Sequence, residues 1–171
     1  VLVIALFAIA VLFSNESNAQ RFGGLNKSPM DAASFPSSYK ISDKAVKVVY
    51  SRPQLKGRSM AKLAPEGKVW RTGANEATTI TFYKDVKFGG KKVKAGTYTL
   101  FTIPGKKEWT IILSTAQNVW GSYFYKQSED VVRVKGKVMS SMANIEAFSM
   151  TFDDDMNMYM GWGYTVVKVS I

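Results

Sequence analysis

Cysteine and histidine are both absent from the 171 residues. Without them there is no disulfide, thiolate nucleophile, Ser-His-Asp triad, Cys/His zinc site or His-ligated haem. Stability must therefore come from a packed core. Acid is also scarce, with 13 Asp and Glu against 23 Lys and Arg, a net charge of +10. The excess is scattered in pairs such as Lys91-Lys92 and Lys106-Lys107, with no basic block and no sign of a recognition helix. A nucleic-acid reader clusters its bases beside stacking aromatics or on such a helix, so nucleic acid is not expected as a partner. Scattered lysines make a solvated face and blunt sheet edges, and their sign favours anionic glycans, lipopolysaccharide or a membrane face.

Long apolar runs are missing except for the thirteen residues Val1 to Phe13. A bilayer span needs about 20 apolar residues, whereas the apolar core of a secretory signal needs about 7 to 15. Residues 1–19, which end in the small pair Asn18-Ala19, are expected to be a signal peptide whose first few residues precede Val1; a membrane anchor is the alternative. Cleavage after Ala19 would remove Glu16 and no base, raising the net charge to +11. It would leave an exported protein, periplasmic or extracellular, with no integral membrane span. An intact N-terminus on exported protein would contradict this.

What is present is period two. Residues 20–43 are rich in Gly, Ser, Asn and Pro, and predict an extended or disordered leader, with the folded domain covering 44–171. Within it Val46, Val48 and Tyr50 alternate with polar neighbours, as do Ile80 with Phe82, Tyr98 with Leu100, and Trp109 with Ile111 and Leu113. Gly89-Gly90 predicts a hairpin turn, and Ala95-Gly96 and Pro104-Gly105 predict two more. The aromatic-rich stretch 115–128 predicts a short helix or a covering loop. Three further strands are expected around Val132 to Val138, Phe148 to Phe152 and Met156 to Ile171. In the last, the apolar phase changes across Gly161 and Gly163, the signature of a bulge or bend. Nine or ten short strands predict one all-β domain, an antiparallel β-sandwich of jelly-roll type.

Between Pro53 and Thr78 the alternation lapses and Arg52, Arg58, Trp70, Arg71, Asn75 and Glu76 gather around it. YSRP (Tyr50 to Pro53), KGR (Lys56 to Arg58), VWRTGANEAT (Val69 to Thr78), AGTYTLFTIP (Ala95 to Pro104) and WGSYFYKQSEDV (Trp120 to Val131) occur in that order. In these motifs the chain resembles the secreted proteins called domain of unknown function 2911, DUF2911, found mainly in Bacteroidota. The resemblance implies one exported β-rich domain with RTGANEAT as its signature, and no activity to carry over.

The residues themselves admit three readings. In a structural one, Trp70 fills the core, Asn75 bonds its own backbone in a turn, and Arg71 pairs with Glu76, Glu129 or Asp130. In a binding one, Arg52, Arg58 and Arg71 converge on a carboxylate, phosphate or sulfate, with Trp70 or Trp120 as a stacking wall for a sugar. In a hydrolytic one, Glu76 and either Glu129 or Asp130 form a carboxyl pair about 5 to 9.5 Å apart. Asp153, Asp155 and Asn157 have the spacing of a calcium loop, but Met158 and Tyr164 stand where an EF-hand needs glycine and an acid. A hairpin turn is the expectation there. Met156, Met158 and Met160 are expected to fill core, with copper capture as the alternative. The sequence thus points to a binding module for an anionic small molecule, a glycan or a cell-envelope component, needing no metal or cofactor.

Overall fold

The computed structural model describes residues 22–171. The expected signal peptide lies outside them. Among these described residues nine strands form, in chain order β1 (Met30–Phe35), β2 (Val46–Ser51), β3 (Thr78–Phe82), β4 (Val86–Phe88), β5 (Lys91–Val93), β6 (Gly96–Ile103), β7 (Glu108–Ser114), β8 (Asp130–Phe152) and β9 (Met158–Val169). Among the described residues one short helix, α1 (Met60–Leu63), starts at Ser59, whose Oγ accepts from the Lys62 backbone N–H.

The all-β class is as expected, and its architecture is a single curled antiparallel sheet. Seven strands lie in the order β1-β2-β3-β6-β7-β8-β9, and β4-β5 form a separate hairpin turning at Gly89-Gly90. The two packed sheets of a sandwich are replaced by one sheet that rolls over its own core. The chain just past β2 closes the roll against the second half of β8: Leu55 N–H donates to Glu146 C=O at 3.0 Å and Phe148 N–H to Pro53 C=O at 2.9 Å.

Two boundaries differ from expectation. Residues 30–35, assigned by composition to the leader, pair along their whole length with β2 as an edge strand of the sheet. Asp31 to Ser34 are small or polar, which suits an edge that is only half-buried, so hydrophobic periodicity could not reveal the strand. The strands expected at 132–138 and 148–152 are one 23-residue strand, β8, because Ser140 to Asn144 swell out of register opposite β9 without a proline to stop the ladder. The phase change across Gly161 and Gly163 sits on that irregularity.

The inner face is built by the alternating residues. Val46, Val48, Ile80, Phe82, Leu100, Ile111, Leu113, Met158, Met160, Val167 and Val169 are all buried, so Met158 and Met160 of the methionine row are core and Met156 packs against it half-buried. At its centre Trp70 stacks on Trp162 at 5.4 Å and 11°, and meets Trp109 and Phe148 edge-on at 6.0 and 5.1 Å. Aromatic contacts of this geometry add about 0.5–1.5 kcal/mol each beyond burial. A second, smaller cluster of Ala77, Phe101 and Ile112 lies under the 115–128 stretch, with Val69, Val119 and Tyr125 packed on it. That stretch is a covering loop, with one 3-10 turn at Gln127–Glu129.

Candidate functional site

The signature segment is held between β6 and the covering loop. Trp70 N–H donates to Thr102 C=O at 2.7 Å and Thr102 N–H returns to Trp70 C=O at 2.9 Å, which directs the Trp70 indole into the core. Beyond it the backbone bends sharply. Thr72 (φ 56°) and Asn75 (φ 59°) adopt the left-handed region, which for a buried β-branched residue such as Thr72 is strained by about 1–3 kcal/mol. The bend is over-determined by hydrogen bonds: Thr78 N–H donates to Arg71 C=O and Thr78 Oγ1 to Thr72 C=O at 2.7 Å. Gly73 is glycine because of close approach, since a Cβ there would lie 3.0 Å from Ser51 O.

The loop then fastens onto the bend. Ala77 N–H donates to Val119 C=O and Gly121 N–H to Asn75 C=O, both at 2.9 Å. These bonds set Glu76 directly opposite Trp120. Ser122 Oγ donates to Val69 C=O at 2.9 Å and adds a third fastening. Between loop and outer sheet face lies a cleft of about 460 Å³, lined by Met30, Val49, Ser51, Thr79, Glu76 and Trp120 among others. Trp120 is 56% exposed, whereas Trp70 is 6% exposed.

The three arginines do not converge. Arg52 is a brace: it pairs with Asp31 of β1 at 3.1 Å, donates Nε–H to Phe148 C=O and a terminal N–H to Ser149 Oγ at 2.7 Å. Arg58 donates to Leu55 and Gln54 carbonyls, closing its own loop. Arg71 lies against Gly121, where an added Cβ would be 3.5 Å from its guanidinium. Among the described residues Arg71 forms no ion pair, and its buried Nε has no hydrogen-bond acceptor. The expected pairing of Arg71 with an acid is therefore not made. Asn75, expected to bond its own backbone, donates its side-chain N–H to Asn26 Oδ1 at 3.3 Å instead.

The carboxylates are likewise dispersed. Glu76 alone among the acids lines the cleft. Glu129 pairs with Lys126 at 3.7 Å. Asp130 accepts from Arg133 at 3.1 Å and from the Tyr125 hydroxyl at 2.7 Å; burial first, and the bond to Asp130 second, raise the Tyr125 phenol to about 12. Asp153 gathers Asn157, Asp155 N–H and the Tyr159 hydroxyl into a hairpin turn. Its oxygens already have donors. Sequence reasoning missed Ser51, Thr79 and Met30 as cleft residues, because their role depends on which strands adjoin the loop.

Residues 28–171 match the family described as protein of unknown function DUF2911. The chain belongs to that family. The match begins two residues before β1, so the family's domain takes in the edge strand as well as the motifs read above. No curated protein and no solved structure matches the chain. Among the described residues of this DUF2911 protein, no helix is long and apolar enough to cross a membrane.

Proposed function

We propose that this DUF2911 domain is an exported, non-catalytic binding module, and that its ligand is a carbohydrate held in the Trp120 cleft. The observation that carries the reading is the setting of Trp120. A large aromatic ring stands half in solvent on a loop fastened by backbone hydrogen bonds, facing Glu76 over a mixed floor in which Ser51 and Thr79 lie beside Val49 and Met30. An apolar ring face beside a few oriented polar groups suits a sugar, which presents C–H on its faces and hydroxyls at its rim. The cleft is pre-formed, so little ordering opposes binding.

A simple anion is the weaker ligand for this cleft, since Arg52 and Arg58 are engaged with the protein and Arg71 does not line it. Hydrolysis finds no support either: Glu76 has no second carboxyl in the cleft, and Glu129 and Asp130 are held elsewhere. Calorimetric titration with cello-, chito- and manno-hexaose tests the reading. Saturable binding by the wild type that is lost in Trp120→Ala, with the fold intact, is expected. Binding unchanged in Trp120→Ala would refute it.

A further inference from the structure

The lysines that look scattered in sequence fall largely on two elements that touch. The β4-β5 hairpin and its flanks carry Lys84, Lys87, Lys91, Lys92 and Lys94 within eleven residues, against one acid, Asp85, which is paired with Lys94 at 2.7 Å. The outer face of β8 carries Arg133, Lys135 and Lys137, because Val132 and Val134 alternate inward. The two elements join where Lys91 Nζ donates to Arg133 C=O at 3.0 Å and the hairpin turn packs at Gly89 against Val134. Among the described residues, Lys84, Lys87, Lys91, Lys92, Lys135 and Lys137 have no carboxylate within ion-pair distance. Like charges gathered this way repel one another, and neither core packing nor internal pairing explains them.

We propose that this lysine seam, on the β4-β5 hairpin and β8 and separate from the Trp120 cleft, binds a polyanionic polysaccharide bearing sulfate, phosphate or carboxylate groups. Two concavities lie on it, one of about 450 Å³ lined by Lys87, Lys92 and the Lys94–Asp85 pair, the other of about 320 Å³ lined by Arg133, Lys135 and Thr110. Basic hollows on two adjoining elements fit successive anionic groups of a flexible hydrated chain. A bilayer would call for an apolar wedge among the lysines. Of the large exposed apolar side chains, Trp120, Tyr123 and Phe124 stand on the covering loop, Tyr83 and Val131 flank the seam, and residues 84–94 and 133–137 themselves contribute none.

The probe is dextran sulfate, with neutral dextran and anionic phosphatidylglycerol vesicles as comparators, and binding is measured at 50 and 200 mM salt. Lys91→Gln, Lys92→Gln, Lys135→Gln and Lys137→Gln are combined in one variant. A control removes the same charge at the exposed Lys40, Lys56, Lys62 and Lys68, and both must match the wild-type melting temperature. The inference predicts dextran sulfate binding that weakens about tenfold or more with salt, since counterions are released on binding. It predicts a loss of at least about tenfold in the seam variant and less than about threefold in the control, because contacts and not net charge carry the affinity. Equal losses in both variants, no binding of dextran sulfate, equal binding of neutral dextran, or binding of vesicles alone would each overturn it. Because the seam excludes Trp120, the outcome is independent of the cleft.

Discussion

Trp70 and Trp120 are the same residue put to opposite uses, and both are tied to one seven-residue bend. Trp70 opens the bend and points inward, stacked on Trp162 and crossed by Trp109 and Phe148. Trp120 faces Glu76 near the end of the bend and stands out on the covering loop. The difference is in direction and not in chemistry: reciprocal hydrogen bonds to Thr102 fix the first, and the bonds of Asn75 and Ala77 to the loop fix the second. A strained backbone at Thr72 joins the two arrangements. The inner aromatics hold the fold, and the outer one is free to hold something else.

That contrast can be broken from the inside first. Trp162→Ala, which removes the stacked partner of Trp70, is expected to destabilise by about 3–5 kcal/mol in urea unfolding, as for other buried aromatic truncations. A loss under 1 kcal/mol would mean the inner cluster is not the core's centre. Gly121→Ala comes next. Gly121 has φ 66° and an added Cβ would lie 2.6 Å from the Tyr123 ring, so a cost of about 1–3 kcal/mol is expected, together with weakened ligand binding as the loop shifts.

A smaller effect is expected at alkaline pH. The Tyr125 phenol is raised to about 12 by burial and by its bond to Asp130, while in the unfolded chain it titrates near 10. Above pH 10 the unfolded state releases this proton and the folded state keeps it, so the stabilisation Tyr125 contributes is complete below pH 10 and declines as pH rises towards 12. Urea midpoints measured from pH 9 to 12 should fall less steeply in Tyr125→Phe than in the wild type; parallel curves would contradict the assignment. The smallest change is at the surface. Trp120→Ala should alter stability by no more than about 0.5 kcal/mol, and a larger loss in the same urea experiment would make Trp120 a structural residue.

Much of this fold is legible in the chain because its strands are half-buried: Val46, Val48, Ile80 and Phe82 announce the inner face by alternation alone. β1 is not, since Met30 to Phe35 is an edge whose pairing depends on β2 and not on its own apolar content. This also hid the use of Arg52, whose acid partner Asp31 lies on that strand. Arg58 looked available for a ligand but bonds carbonyls three and four residues back, a local closure that side-chain type does not reveal. Trp70 and Trp120 were both readable as stacking walls, and only the hydrogen-bond directions separate them. For Glu129 and Asp130 the nearest cations in sequence, Lys126 and Arg133, decide the outcome, and the hydrolytic pairing with Glu76 is left without a second member.

The central claim is that Trp120 alone among the four tryptophans receives a ligand. An amide-correlated NMR spectrum resolves four indole N–H signals, from Trp70, Trp109, Trp120 and Trp162, with Trp120→Phe assigning the exposed one. Titrating in cello-, chito- and manno-hexaose should move the Trp120 signal saturably for at least one of them while the three buried signals stay in place. A Trp120 signal unmoved by every sugar, or moved only together with Trp70 and Trp162, would contradict the account.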